Sequence, residues 1–422
     1  MQKGIDARWM YSIVPLSAIT NGLSILIPLY ILEMHGNVFD VGIAFALFNL
    51  VTIPSVIFWG KITDKVKRNK PFIMFSVIFT LPILLLLYLY KGVYETYLYY
   101  SIFAIVSAAS FPAINILIMG TKRSKSLPKY FSRYGIFGVI GAIIAFALGT
   151  LISQSELFLY SYILVILDII GIALAMALIK EKRIADHKKR KNSEIFSILK
   201  SVAHFPYITF SLNSIKIIHF YRMKKNHVIR HKESKGLYQL LASIAAFNFA
   251  YYFFNSSYIP YLKVYGITYT DIFIINLLNV IGQAIMFIII IRKSGALNLH
   301  RYYTNSTAYR GIGYFIIMLS AFLPLGLFLP INILVYVMLG FAITVWNLSS
   351  ALLIYEKIRG FKAGYYVGIW TSVLGSSAVL GSFISGLVSL MFGYSYTFII
   401  ATLFCIVSII LFKWKSKGPK KI

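Results

Sequence analysis

The fold is decided by the stretch GKITDKVKRNKPFIMFSVIFTLPILLLLYLY, residues 60–90. A block of basic residues ends at Lys70, and an uncharged, almost wholly apolar run follows from Pro71 to Tyr90. About 20 such residues in a helix cross a hydrocarbon core of about 30 Å. The stretch therefore predicts a membrane-spanning helix with a charged connection at its start.

The whole chain repeats this pattern. Of its 422 residues, 59% are apolar and only 13% are charged, with a mean hydropathy of +0.77, against about 45–50% and about 25% in soluble domains. An ordinary soluble domain and collagen are excluded, and the single cysteine, Cys405, permits no disulfide scaffold or zinc cluster. The apolar runs are continuous, whereas a β-barrel needs alternation in segments of about 10 residues.

Reading the runs in order predicts an all-α polytopic membrane protein with twelve transmembrane helices. In the first half they cover about 9–31, 38–60, 71–91, 95–119, 131–152 and 157–180. In the second half they cover about 237–262, 271–291, 308–329, 331–355, 364–391 and 394–413. Most connections are short, so neighbouring helices are expected to be antiparallel.

The basic residues orient the predicted bundle. The 41 Lys and Arg lie in the termini and in alternate connections, including Lys61–Lys70, Lys122–Arg133, Arg292–Arg310 and Lys357–Lys362, and only Lys91 and Lys263 lie on the other side. Because cytoplasmic loops carry the excess of Lys and Arg, both termini are predicted to be cytoplasmic. The net charge of +28 is thus a membrane-orienting feature, and no nucleic-acid partner is expected.

The chain is predicted to divide into two six-helix halves, residues 1–180 and 237–413. Between them, residues 181–236 form a basic cytoplasmic loop, which we interpret as interfacial helices beside anionic lipid headgroups rather than a thirteenth span. Residues 414–422 form a basic cytoplasmic tail. An internal repeat is supported by stripes of small residues in spans five and eleven, which allow close helix packing. The stripes are Gly141, Ala145 and Gly149, and Ala378, Ser382 and Gly386.

The connection after span two carries the sharpest motif, Gly60-Lys-Ile-Thr-Asp64-Lys65-Val-Lys67-Arg68. It resembles the signature loop of the major facilitator superfamily (MFS): Gly, three residues, Asp, a basic residue, one residue, Gly, and basic residues. Gly60, Asp64, Lys65 and Arg68 match, whereas Lys67 stands where the family has its second glycine. The place after the second of twelve spans is also the family's, so the resemblance covers nearly the whole chain.

The resemblance implies a gate on the cytoplasmic side. Asp64 would meet the helix start near Gly364, and Lys65 and Arg68 would join a charge cluster in which Glu356 is the candidate partner. An acid at a helix C-terminus is electrostatically unfavourable unless it meets such a partner. Span four carries no Arg, so the Arg motif of the family's proton-coupled drug antiporters is missing, and drug antiport is disfavoured.

The resemblance also implies that spans one, four, seven and ten line a central cavity. Polar residues in these spans are therefore the candidate solute ligands, with hydrogen bonding between neighbouring helices as the alternative for each. The candidates are Asn21, Ser24, Ser110, Asn115, Asn248, Tyr251, Tyr252, Asn255, Trp346 and Asn347. Neutral donors beside aromatic faces suit a polar or amphipathic solute, and no basic residue lies in the middle of a lining span, which argues against phosphate-bearing solutes.

Asp168 is interpreted as the only ionisable residue near the middle of a span. Burial disfavours the charged form of a carboxylate, so Asp168 could carry a proton in a transport cycle. The alternative is a neutral Asp bonded to a neighbouring helix, since the family places span six outside the cavity. Asp40 and Asp271 lie at the starts of spans two and eight, where an acid caps the helix favourably.

The predicted function is secondary active transport of a small polar or amphipathic solute across the cell membrane by rocker-switch alternating access. The alternatives are a non-transporting receptor or lipid scramblase with the same fold and, less favoured, a membrane-embedded enzyme. The spans offer no nucleophile with its base and no metal cluster, so no catalytic residue, metal or cofactor is expected. The expected partners are the solute, a coupling proton or ion, and anionic lipids, with the protein acting as a monomer.

Overall fold

The computed structural model describes residues 7–66, 68–120, 127–152, 157–179, 231–292, 298–358 and 363–413. These ranges contain a 3-10 helix, Ala7–Ser12, and thirteen α-helices. The first seven are α1 (Ile13–Glu33), α2 (Val38–Val66), α3 (Lys70–Leu89), α4 (Val93–Ser107), α5 (Ser110–Gly120), α6 (Leu127–Gly149) and α7 (Leu159–Leu178). The other six are α8 (His231–Val264), α9 (Tyr269–Arg292), α10 (Leu299–Ser320), α11 (Leu325–Ile358), α12 (Ala363–Phe392) and α13 (Tyr394–Lys413).

Ten helical stretches in the described ranges are long and apolar enough to span a membrane. They agree with ten of the twelve predicted spans, and the fourth, Val93–Asn115, includes α4 and the first part of α5. The two spans without such a stretch are five and nine. The apolar part of α6, Tyr134–Gly149, is shorter than the others, and α10 carries many polar residues.

Two predicted boundaries are wrong. Span nine was expected at 308–329, but α10 covers Leu299–Ser320 and α11 begins at Leu325, because buried polar residues conceal the first half of α10 from a hydropathy reading. The motif was expected to be a loop, but its residues through Val66 form the last turns of α2. The seventh span was expected from about 237, and the apolar stretch does begin at Gly236, although α8 itself extends back to His231. The rest of the central loop, 181–230, and the tail, 414–422, lie outside the described residues.

The helices pack in two groups, α1–α7 and α8–α13. Within the first, α1 packs on α6, α3 on α7 and α2 on α4; within the second, α8 packs on α12 and α13, and α10 on α11. The groups meet mainly where α2 crosses α12 and where α6 crosses α9. The cavity that the sequence predicts would therefore lie between these two crossings.

Glycine allows both crossings to be close. A Cβ on Gly42 of α2 would lie 2.8 Å from the backbone oxygen of Ser382 and 3.0 Å from the Cα of Gly386 on α12. On the other side, a Cβ on Gly149 of α6 would overlap the ring of Phe273 on α9. Both contacts lie toward the end of the bundle that holds the turns 34–37 and 265–268, which we call the opposite end. The other end, which holds the connection 67–69, is the basic end.

The two turns at the opposite end are copies of each other. In the first, Gly36 N donates to Ile31 O at 2.8 Å, and in the second, Ile267 N donates to Leu262 O at 3.1 Å. The residue before each donor has a positive φ, 61° at His35 and 73° at Gly266. The turn α1–α2 thus has the same backbone form as the turn α8–α9, as a repeat of the two halves would produce.

The capping residues that follow these turns also match. The carboxylate of Asp40 accepts a hydrogen bond from Asn37 N at 2.7 Å, and that of Asp271 accepts one from the hydroxyl of Thr268 at 2.6 Å. Both acids lie in the first turn of their helices, α2 and α9. The predicted capping role of Asp40 and Asp271 is confirmed, since each helix start is closed by a pair three residues apart.

Candidate functional site

Three of the four predicted lining helices are the most enclosed of the ten apolar stretches in the described ranges. The buried share is 67% for α1 and 61% for both the α4 stretch and α8, against 28% for α7 and α13, whereas α11 and α12 are equal at 50%. A helix enclosed on all sides by protein holds its polar groups away from lipid. The half-buried polar residues on α1, α5, α8 and α11 are therefore the candidates to face the space between the two helix groups.

Three residues of α8 form the centre of the candidate site. Tyr251, Tyr252 and Asn255 are all half-buried, and the rings of the two tyrosines meet edge to face at 5.2 Å. Asn255 is one helical turn after Tyr251 on the same face. Within the described ranges its amide has no hydrogen-bond partner, so it is available to a bound molecule.

Arg310 of α10 joins this centre, and the sequence analysis missed it. It was assigned to a cytoplasmic loop, but the guanidinium is buried, with 3% of the residue exposed. Its Cζ lies 4.7 Å from the ring centroid of Tyr251 and 5.4 Å from that of Tyr314. Asp168 is therefore not the only ionisable residue inside a span. A signal was available, since Arg310 is followed by the apolar run that ends α10, but its polar surroundings suggested a loop.

Two hydrogen bonds hold the guanidinium, one within α10 and one to α11. Arg310 Nε donates to Tyr314 Oη at 2.9 Å, and Nη1 donates to the carbonyl oxygen of Leu339 on α11 at 3.3 Å. Tyr336 of α11, also half-buried, lies within electrostatic range of both Arg310 and Tyr251. α10, which is outside the predicted lining set, thus contributes the positive charge of Arg310 to the site, where the guanidinium contacts α8 and α11.

The aromatic cluster continues toward the first helix group. Tyr252 lies within electrostatic range of Tyr100 on α4, and the ring of Tyr100 stacks on that of Phe48 of α2 at 4.4 Å. Aromatic contacts of this kind are specific in geometry. The site therefore reaches both helix groups.

The remaining candidate ligands divide into two kinds. Several bond to the protein itself: Asn21 donates to Ser17 O at 2.8 Å, Ser110 to Ser107 O at 2.8 Å, and Asn248 to Leu374 O on α12 at 2.7 Å. The hydroxyl of Ser24 donates to Asn21 O. Trp346 is buried and stacks on Phe247 at 4.0 Å. Asn115 and Asn347, by contrast, are half-buried with no side-chain hydrogen bond in the described part of the chain.

The gate residues lie at the basic end. Asp64 falls in the last turn of α2, and the side chains of Asp64 and Lys65 are outside the described set. Gly60 is half-buried, with the ring of Pro112 on α5 as its near neighbour. Arg68 is exposed in the short connection to α3, and Glu356 is exposed in the last turn of α11.

The small-residue stripes lie in close helix contacts. Gly141 faces the backbone of α1 at Val14, and Ala145 is fully buried, with its carbonyl oxygen accepting from Tyr160 at 2.8 Å. Ser382 and Gly386 form the crossing with α2 described above, and Ala378 is buried on the same helix. Gly149 and Gly386 thus occupy equivalent places in the two crossings.

Asp168 of α7 lies away from the aromatic cluster. It is fully buried, and neither carboxylate oxygen has a hydrogen-bond partner in the described ranges. Gly171, one turn later on the same face, contacts Pro15 of α1 and Val77 of α3. The carboxyl group therefore faces the seam among α1, α3 and α7, where an unpaired polar group is costly.

A second polar cluster joins the two helix groups at the opposite end. The hydroxyl of Tyr269, at the start of α9, donates to the carboxylate of Glu33, at the end of α1. Lys263 Nζ lies 4.0 Å from the centroid of the Tyr269 ring, and Thr270 donates to Ile152 O at 3.3 Å. The hydrogen bonds Tyr269–Glu33 and Thr270–Ile152 thus join the two helix groups at the opposite end.

The described ranges contain no group of three or more His, Cys, Asp or Glu side chains placed to hold a metal ion. The candidate site therefore offers hydrogen-bond donors, one buried cation and aromatic ring faces, and this combination suits the binding of an organic solute.

Comparison with known proteins gives the family. The model of the Major Facilitator Superfamily matches residues 10–375, whereas no curated protein matches the sequence.

Among solved structures, the nucleoside transporter NupG superposes with a TM-score of 0.66 at 16% identity, over 98% of this chain and 100% of that one. Peptide transporter POT in complex with alafosfalin gives 0.68 at 13% identity, over 96% and 93%. The human organic anion transporter MFSD10 gives 0.64 at 12% identity, over 98% and 99%. At these identities the likeness establishes the fold alone.

Proposed function

Because the chain belongs to the major facilitator superfamily, a family of membrane transporters rather than enzymes, we propose that it is a secondary active transporter. It would move a small polar or amphipathic solute across the cell membrane by rocker-switch alternating access, as a monomer of two six-helix halves. The observation that carries the proposal is the half-buried cluster of Tyr251, Tyr252 and Asn255, which lies between two helix groups that meet at only two main crossings.

The two crossings support a rocking motion. Each brings a glycine into backbone or ring contact at the opposite end, and the Glu33–Tyr269 hydrogen bond joins the groups there as well. Rigid groups that meet at a few close helix crossings can rotate about them without losing their own cores. On this proposal, the arrangement in which the groups are joined at the opposite end would be one of the two states that alternating access requires.

The basic end would carry the second gate, with both termini and the central loop on the cytoplasmic side. Asp64 lies where the helix dipole of α2 disfavours an acid, so a positive partner at the start of α12 would stabilise it. Lys65, Arg68 and Glu356 complete the proposed cluster. The basic segments around the gate would contact anionic lipid headgroups.

Energy would come from a solute or ion gradient, since the sequence has no Gly-x4-Gly-Lys-Ser/Thr nucleotide loop. Asp168 is the candidate proton carrier, with its role tested below. Its position in a seam of the first half means that any coupling would act through movement of α1 or α3.

The test uses purified protein in liposomes. A thermal-shift screen over sugars, amino acids, organic acids and amphipathic cations identifies solutes that bind, because a ligand of the native state stabilises it. Labelled hits are then measured for saturable uptake and counterflow. We expect Asp64→Asn to slow uptake about tenfold or more, a loss of about 1.4 kcal/mol at the gate, while thermal shifts are unchanged.

Asp271→Asn is the matched control, since it removes a carboxylate from a helix end but leaves an efficient capping group. Unchanged uptake in Asp64→Asn would remove the gating role. Binding without saturable uptake for every hit would overturn transport in favour of a receptor, and transfer of a fluorescent phospholipid between leaflets would favour a scramblase.

A further inference from the structure

Arg310 carries a permanent positive charge in the middle of α10. Its residue is 3% exposed, and its contacts are the rings of Tyr251 and Tyr314, one hydroxyl and one carbonyl. In the described ranges it forms no ion pair with a carboxylate. An arginine does not lose its proton in proteins, so the charge persists, and a buried charge is costly unless it is paired.

The other ionisable group inside the spans does not compensate it. Asp168 lies on α7, which packs on α1 and α3, whereas α10 packs on α11 and α13. The two oxygens of Asp168 have no partner in the described part of the molecule. The charges are therefore separate features, and Arg310 lacks a counterion supplied by these helices.

The guanidinium also keeps donors for a ligand. It has five N–H groups, of which one on Nε and one on Nη1 are used by Tyr314 and Leu339. Its stacking on Tyr251 directs it toward the half-buried face of α8 that includes Asn255. Stacked arginines with free N–H groups bind carboxylates strongly and with defined geometry.

On the basis of the transporter proposal above, we propose that the site beside Tyr251 binds an organic monoanion, with its carboxylate on Arg310 and its body against the rings of Tyr251 and Tyr336. One cation favours one negative charge, because a second carboxylate would meet no further basic side chain among the described residues of the cluster. The amide of Asn255 would donate to a polar group of the same solute. The sequence-based argument considered basic residues only in the four lining spans, whereas this cation comes from α10, outside that set.

A purely structural role is the competing explanation. Arg310 bridges α10 to α11 through Leu339 O, so removing it would destabilise the bundle in either case. Only the ligand role makes stabilisation depend on the charge of an added solute. The experiment therefore compares matched solutes on the same protein.

The probes are benzoate and its neutral isostere benzamide, added to purified full-length protein in a low-salt Tris sulfate buffer that contains no carboxylate, with chloride titrated separately. We expect benzoate, but not benzamide, to raise the melting midpoint of the wild type. Arg310→Gln should weaken benzoate binding about tenfold or more, the usual cost of a lost charge-assisted hydrogen bond, and Arg310→Lys should retain part of it. Arg301→Gln, on the exposed start of α10, is the matched control and should bind as the wild type does.

Equal shifts with benzoate and benzamide in the wild type would overturn the proposal without any variant, even if Arg310→Gln does not fold. Benzoate preference kept in Arg310→Gln would overturn it as well. A chloride shift equal to that of benzoate at the same concentration would assign the charge to an inorganic counterion and overturn the organic solute. Saturable uptake of neutral solutes without benzoate binding would overturn the monoanion site and leave the transporter proposal intact. Benzoate binding without uptake of any solute would overturn transport and leave the monoanion site intact.

Discussion

The crossing of α2 and α12 at Gly42 gives the most direct prediction about the transport motion. A Cβ at this position would lie 2.8 Å from Ser382 O and 3.0 Å from the Cα of Gly386. All of these are backbone atoms of α12, so no side chain can turn away to make room. Gly42→Ala should force the two helices apart at the opposite end.

The cost is that of adding one methyl group to a closely packed contact, about 1–3 kcal/mol. Because this contact joins the helix groups at the opposite end, the cost would fall on the observed arrangement, and the proposed state opened at this end would be less affected. A shift of 1.4 kcal/mol is tenfold in an equilibrium, so the open population should rise by about 5- to 150-fold.

The assay is labelling by a membrane-impermeant maleimide of a cysteine placed at Phe39, which borders Gly386 across the crossing. The background variant is Cys405→Ala, since Cys405 is the single cysteine and is buried. We expect Gly42→Ala to accelerate labelling and to lower the melting midpoint of the purified protein.

Gly326→Ala is the matched control, because a Cβ on this glycine of α11 has no neighbour within 4 Å. It should leave the labelling rate unchanged and, as a glycine replaced in a helix, stabilise the protein slightly. If Gly42→Ala and Gly326→Ala give the same labelling rate and the same melting midpoint, the crossing is not a close contact of the closed state and the reasoning fails.

Three further predictions use the same preparation. Tyr269→Phe removes the hydrogen bond to Glu33 and should accelerate labelling at position 39 two- to tenfold, which corresponds to about 0.5–1.5 kcal/mol. The control is Tyr265→Phe, on the turn before α9. Equal labelling rates in the two variants would show that Tyr269 has no closing role. Asp168→Asn should abolish the pH dependence of uptake if this carboxyl carries the coupling proton, whereas identical pH profiles for wild type and variant would leave Asp168 a packing residue. A cysteine introduced at Lys61 should react only from the cytoplasmic face, and one introduced at Lys91 only from the outside. The reverse pattern would overturn the predicted orientation.

Much of the architecture could be predicted from the sequence, because crossing a membrane constrains each segment separately. A helix in lipid satisfies its own backbone hydrogen bonds and needs a length of apolar residues, and both requirements can be read from a run such as Pro71–Tyr90. The caps at Asp40 and Asp271 were predictable for the same reason, since their partners Asn37 and Thr268 lie three residues away. Membership of the family also followed from a local motif and the number of spans.

The contents of the site depended on contacts between distant segments. Arg310 reads as a loop residue when judged alone, since transfer of a single guanidinium into a membrane is unfavourable. It is buried because Tyr251 of α8 and Leu339 of α11 provide a ring and a carbonyl, and these partners are remote in the chain. The boundary of α10 was misplaced for the same reason.

The sequence by itself thus determined that the chain is a helical membrane protein of a transporter family, and where most of its helices begin and end, because those properties arise from the transfer of each segment into lipid. Only the tertiary structure decided which polar groups face the site, that Arg310 is one of them, that Asp168 lies in a separate seam, and that glycines set the two crossings. Those properties arise from the packing of helices on one another, which depends on the position of every partner at once.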